Sequence, residues 1–235
     1  MPTALITGGS AGLGKALTAD LAHDGWNVVI DGRDANRLHR VAHQIGPRVR
    51  AIPGDVTDPL HRADLATAVG DIDLLVNNAS TIGSTPMPAV ADIDGTVFDG
   101  IWLTNVAAPL ALTQLLLPAL RRSGGALVNV TSDAAVEHYE RWGGYGASKA
   151  ALDHLTLTLA VENPQLSIYA VDPGDMRTKM HQDAFPGEDI GDRPLPESVV
   201  PAIRALLARR PASGRYRAAE FAADASSVVS PEAVR

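Results

Sequence analysis

Short runs of Val, Ile, Leu and Ala recur along the chain, and each is followed by a longer stretch whose apolar residues return at helical spacing. The short runs predict strands at residues 4–7, 27–30, 49–52, 74–77, 126–131, 167–171 and 215–218. The longer stretches predict helices over 12–24, 35–45, 59–69, 97–122, 145–162 and 197–210. Strict alternation of the two is the pattern of βαβ units around a parallel sheet. The strand runs are apolar at successive positions, as when helices cover both faces of the sheet. No repeat period and no linker interrupts the pattern, so one domain over residues 1–235 is expected. Residues 176–196 hold Pro186, Gly187, Gly191, Pro194 and Pro196 among scattered charges and read as a mobile substrate loop. Residues 221–235, rich in Ala and Ser, read as a loose or docking tail.

Composition narrows the function classes. A 46% share of hydrophobic residues against 20% charged is enough for a buried core, so disorder of the whole is not expected. The net charge of −7 speaks against a nucleic-acid partner, which calls for a surplus of Lys and Arg. With no cysteine there is no disulfide framework, no thiol nucleophile and no Cys-ligated metal. Strand-like sequence begins at Thr3 without a secretory pattern before it, and a cytoplasmic setting is expected. The greasiest stretch, 106–120, is interrupted by Pro109, Thr113, Gln114 and Pro118 and falls short of the ~20 residues of a membrane span, so it reads as core helix and no membrane partner is expected.

Directly after the first strand stands Thr7-Gly8-Gly9-Ser10-Ala11-Gly12-Leu13-Gly14. Glycines there let the backbone turn sharply and approach a pyrophosphate, ahead of a helix whose free N–H groups attract anions. Its place between a strand and a helix is the context that a dinucleotide fingerprint requires. The glycine spacing resembles that of the short-chain dehydrogenase/reductase family, whose motif reads T-G-x-x-x-G-x-G. Further likenesses follow down the chain. Asp55-Val56 stands where the family contacts adenine, Asn77-Asn78-Ala79 resembles N-N-A-G with Ser80 in the last place, and Pro173-Gly174 with Thr178 matches P-G-x-x-x-T. The resemblance covers about residues 3–178. It implies a seven-stranded Rossmann-like sheet of order 3-2-1-4-5-6-7 in a three-layer α/β sandwich, and an NAD(P)-dependent oxidoreductase acting on a carbonyl or alcohol carbon. It also implies a homodimer or homotetramer.

On that resemblance the cofactor-binding residues are Gly8, Ser10, Ala11, Gly12, Leu13, Gly14, Arg33, Asp55, Val56, Asn77, Asn78, Ala79, Tyr145, Lys149, Pro173, Gly174, Met176 and Thr178. The choice of cofactor turns on Asp31-Gly32-Arg33-Asp34, because NAD calls for an acid on the ribose hydroxyl and NADP for a cation on the 2′-phosphate. Family members that use NAD carry Asp where Gly32 stands, and many that use NADP carry Arg where Arg33 stands. NADP(H) is therefore favoured over NAD(H), although Asp31 and Asp34 flank that arginine and could neutralise it.

Tyr145 and Lys149 are four apart on one helix face. A phenol with its ordinary pKa of about 10 exchanges protons poorly at neutral pH, and a nearby ammonium should lower that value. Ser132 closes the fifth strand at the edge where open parallel sheets bind ligands, and Asn105 lies in the long helix before it. Together these match the family's Asn-Ser-Tyr-Lys tetrad. The resemblance implies Tyr145 as acid/base, Ser132 as holder of the carbonyl oxygen, Lys149 as ribose ligand and Asn105 as holder of a water. Asp133, His138 and Trp142 lie between Ser132 and Tyr145 and are candidates to line the substrate pocket. No metal site is expected: His39 and His43 share a helix face but lack a third ligand. A dinucleotide-binding regulatory or sensor protein without turnover is the alternative reading.

Overall fold

The computed structural model describes residues 1–222, so the expected tail lies outside the described residues from residue 223 on. Seven strands, β1 (Thr3–Ile6), β2 (Asn27–Gly32), β3 (Val49–Pro53), β4 (Leu74–Asn77), β5 (Ala126–Val130), β6 (Ser167–Asp172) and β7 (Gly214–Arg217), form one sheet. Its order is β3-β2-β1-β4-β5-β6-β7, and every neighbouring pair runs parallel. The order reverses beside β1, between β1 and β4, which opens a crevice at the carboxyl ends of the strands.

Side chains alternate between the two faces of each strand. Leu5, Val29, Leu75, Leu127 and Ile168 pack on one side against α3 (Pro59–Val69) and α5 (Ala108–Ser123). Ala4, Ile6, Val28, Ile30, Val76, Val128 and Val171 pack on the other against α1 (Gly12–His23), α2 (Ala35–Ile45) and α8 (Pro196–Arg209). Helices therefore cover both faces, and the strand runs are apolar at successive positions for that reason.

The long helix expected over 97–122 is broken. α4 (Gly95–Trp102) leads into a π-helical turn at Leu103–Ala107, and α5 follows. Pro109 explains the break, because it has no N–H to give to the carbonyl of Asn105 four residues back, and the ladder widens there. The combined helical run Gly95–Ser123 spans 29 residues with a mean hydropathy of 1.5 in its most apolar window, long enough to cross a membrane by length. That corrects the shorter span read from 106–120. Half of this window is buried inside the protein.

The segment 176–196 contains regular structure. Thr178 caps α7 (Lys179–Ala184), its hydroxyl accepting from the His181 N–H at 3.1 Å. The remaining helix, α6 (Gly143–Glu162), runs alongside β6.

Candidate active site

The crevice begins where β1 ends. The buried Thr7 hydroxyl accepts from the backbone N–H groups of Asn78 and Ala79, both at 3.0 Å, and so ties the end of β1 to the end of β4. Gly8 then turns with φ +67, a region L side chains rarely adopt. A Cβ on Gly14 would lie 2.6 Å from the Gly8 carbonyl oxygen and 2.6 Å from Asn78 Nδ2. Glycine there lets the first turn of α1 pack onto the loop. Ala11 at the helix N-cap offers no capping side chain, so no side chain covers the first N–H groups of α1. Thr178 closes the cradle, its Cγ2 standing 3.4 Å from where a Cβ on Gly12 would be. A tight turn, uncapped helix N–H groups and no side chains in the way are what a pyrophosphate needs.

Asp31 and Asp34 are both engaged away from Arg33. Asp31 is 2% exposed; its Oδ1 accepts from the Gly8 N–H at 2.6 Å, and its Oδ2 lies 3.3 Å from Nε2 of buried His61. Asp34 caps α2 by accepting from the Arg37 N–H at 2.9 Å. The exposed Arg33 guanidinium instead acts on Asp55. Burial raises the Asp55 carboxyl, but hydrogen bonds from Thr57 and the charge of Arg33 outweigh it and hold that carboxyl below its ordinary value. Because Asp31 answers the first N–H of the glycine turn, Asp31→Ala should cost about 1–3 kcal/mol of stability, read as a lower midpoint in urea denaturation.

Several residues expected at the cofactor also brace the fold. Asn77 is 3% exposed, and its Nδ2 donates to Asn129 Oδ1 at 2.7 Å and Thr113 Oγ1 at 3.2 Å. Asn129 Nδ2 continues to Thr156 Oγ1 at 2.7 Å. The amide thus belongs to a buried polar seam between the sheet and α5 and α6, because a buried amide must satisfy both donors locally. Asn78 braces the glycine loop through Nδ2 to the Thr7 carbonyl at 2.8 Å. Gly174, at φ +74, gives its N–H to Asp172 Oδ1 at 2.9 Å, and Met176 packs on the core beside α1.

The tetrad residues come together on three elements around the ends of β4 and β5. Asn105 is fully buried in the π-helical turn. Its Oδ1 accepts from Ser80 Oγ at 3.0 Å and the Thr81 N–H at 2.9 Å, while its Nδ2 donates to the Thr81 carbonyl and Ser148 Oγ, both at 2.9 Å. All four bonding positions of this side chain are therefore taken by protein, and the side chain acts as a brace. Lys149 Nζ lies 5.5 Å from the centre of the Tyr145 ring and donates to the Val130 carbonyl at 2.8 Å. The Ser132 and Ser80 hydroxyls both act on the Tyr145 phenol.

The electrostatics of the pair differ from the sequence expectation. Burial raises the Tyr145 phenol above its ordinary value, and the hydrogen bonds from Ser132 and Ser80 offset only part of that rise. Burial also brings the Lys149 ammonium down to about 8, against the opposing charge of Asp153. The ammonium is not the dominant influence on the phenol, because its Nζ is turned to a strand carbonyl and the burial of the phenol outweighs the charges near it. Tyr145 is accordingly a protonated donor at neutral pH.

Of the expected pocket residues, Trp142 packs edge-on against Tyr145, ring centres 5.5 Å apart, and also touches Phe185 at 5.9 Å. Asp133 turns onto Ser132, its Oδ1 accepting from the serine hydroxyl at 2.9 Å. His138 is exposed. Phe185 comes from the 176–196 segment expected to serve the substrate, and one contributor, Ser80, was missed. The signal for Ser80 was present, since a hydroxyl replaces the family's glycine beside the tetrad asparagine.

A phosphate-ready turn facing a Ser-Tyr-Lys cluster across a doubly wound sheet defines a dinucleotide-dependent oxidoreductase. Residues 2–189 match the family model for short chain dehydrogenase, and the chain belongs to the short-chain dehydrogenase/reductase family, whose members are NAD(P)-dependent oxidoreductases. It is 36% identical to a serine 3-dehydrogenase of Agrobacterium fabrum over 187 residues, 75% of this chain and 73% of that protein. A short chain dehydrogenase of Shigella flexneri, solved in complex with NADP, superposes with a TM-score of 0.86 at 28% identity, covering 93% of this chain and 97% of that one. Another from Escherichia coli, complexed with NADPH, gives 0.85 at 30% identity, covering 92% and 96%.

Proposed function

We propose that this protein uses NADP(H), in preference to NAD(H), to interconvert a small-molecule carbonyl and its alcohol. The reading is carried by one observation: a buried Tyr145 phenol with Lys149 Nζ 5.5 Å from its ring centre, at the sheet edge that also holds the glycine turn. When bound, the nicotinamide supplies or accepts the hydride. The glycine turn and the first N–H groups of α1 would hold the pyrophosphate, Asp55 and Val56 the adenine, Arg33 the 2′-phosphate, and Tyr145 with Lys149 the nicotinamide ribose. In the reductive direction Tyr145 gives its proton to the carbonyl oxygen. Ser132 directs its hydrogen to Asp133, and holding a carbonyl oxygen requires that hydrogen to swing toward the substrate.

The cofactor preference is supported by Arg33, whose flanking carboxylates are engaged elsewhere, and by the NADP(H) complexes of similar structures. Arg33→Ala should weaken NADPH binding about 10- to 100-fold and leave NADH binding nearly unchanged, the loss of a charge-assisted phosphate contact. Fluorescence titration with both nucleotides measures it; equal affinity of mutant and parent for NADPH refutes the choice. Consumption of NADPH with a panel of aldehydes, ketones and quinones tests turnover, and binding without oxidation on every one of them would favour a sensor. The cytoplasm is the proposed setting. A homodimer or homotetramer through α4, α5 and α6 is supported by Trp102, Leu103, Leu115, Leu157 and Val161, all exposed on those helices or the turn between α4 and α5.

A further inference from the structure

Behind the tetrad lies a charged cluster that the proposed chemistry does not use. Arg215 on β7 reaches three elements at once. Its Nε donates to Asp153 Oδ2 on α6 at 2.9 Å, its Nη2 donates to the backbone carbonyl of Ser132 at 2.9 Å, and that same nitrogen lies 3.6 Å from Asp172 Oδ2 at the end of β6. Asp153 stands one helical turn after Lys149 and is 7% exposed. Its other oxygen, Oδ1, is buried without a hydrogen-bond partner among the described residues. A buried carboxylate left half-satisfied is costly unless its charge has a use.

We propose that Asp153, fastened by Arg215, is a positioning residue that keeps Lys149 charged, and that Arg215 fixes the strand end carrying Ser132. Of the charged and titratable groups here, Asp153 acts on Lys149 and the Tyr145 ring lies under its Nζ; Asp172 and Asp133 act on Tyr145, and Arg215 and Arg217 stand against Asp172. Asn105 and Ser80, from the other side, carry no charge. Asp153 favours the ammonium against burial, and Arg215 moderates that influence by sharing the carboxylate.

The proposal rests on Lys149 belonging to the catalytic set, but its test is read on the free protein and so stands apart from turnover. The titration of the Lys149 side chain is followed by NMR of its labelled ε-carbon. Asp153→Asn should move the midpoint down by about one pH unit, and Asp153→Glu should largely restore it. Arg215→Gln should move it up, since it removes a cation and leaves the carboxylate's charge unshared. Opposite directions are the signature, because a general loosening of the fold would move both variants the same way. Midpoints that stay within about 0.2 of the parent, or that shift together, overturn the proposal. If Asp153→Asn fails to fold, Asp153→Ser takes its place: a lowered midpoint supports the proposal, an unchanged or raised one overturns it.

Discussion

Tyr145→Phe leaves NADPH binding nearly intact and lowers kcat for carbonyl reduction by about 10²–10⁴-fold, the usual contribution of a positioned general acid. The ring fills the same space against Trp142, so packing around it is kept. Only the hydroxyl is lost, and no other hydroxyl takes its place. Ser132 and Ser80 stand nearest, and in the free protein each gives its hydrogen to another side chain. Serine hydroxyls are also far weaker acids than a phenol. Steady-state kinetics beside a nucleotide titration separate the two effects: a variant that retains a substantial fraction of the parental rate would remove Tyr145 from its role. The pH dependence carries a sign of its own. Reduction needs the protonated phenol, which burial raises, and the charged Lys149, which burial brings to about 8. The first loss on going alkaline should therefore come from the lysine, not the tyrosine.

Gly14→Ala is the second large effect expected, and it acts on the cofactor rather than the chemistry. A methyl group there meets the Gly8 carbonyl and the Asn78 amide, both braced by their own hydrogen bonds, so neither can give way cheaply. Crowding of a packed site costs about 1–3 kcal/mol, and here the strain falls on the turn that must receive the pyrophosphate. NADPH affinity should drop by about tenfold or more, with the thermal midpoint lowered by several degrees, while Tyr145 and Lys149 stay where they are. Calorimetric titration and thermal unfolding measure both. Unchanged affinity in a destabilised variant would mean that the glycine turn is not where the nucleotide sits.

The strands and the glycine turn were legible because their causes are local, while the strand order came from the family resemblance alone. Alternating apolar runs report which faces are covered, and a turn that must accept a phosphate shows its glycines in sequence. Tyr145, Lys149 and Ser132 were equally visible, each tied to the start of a helix or the end of a strand. What escaped depends on partners distant in the chain. Nothing around Asp31 announces that it turns inward to the Gly8 N–H and His61, so its flanking of Arg33 read as neutralisation. Asn77 read as a ligand because its motif ends a strand, yet its partner Asn129 lies 52 residues on. The direction of the phenol's shift was misread for a similar reason: spacing reveals the nearby ammonium but not the depth of burial, and burial decides. The break in the long helix had a local cause in Pro109, but a proline near a helix start is ordinarily tolerated, and only the packed helix shows the ladder widening.

The amide seam running Thr113, Asn77, Asn129, Thr156 has a consequence for where the reacting groups can stand. Asn77 and Asn129 are register partners, so a slip of one residue between β4 and β5 would set an amide against valine and strand several polar groups in an oil-like interior. The seam thereby works as a ratchet pawl for the central strands. Its last tooth sits on the same helix as the phenol and the ammonium, so the height of those groups above the sheet is set by a lock some two to three turns below them.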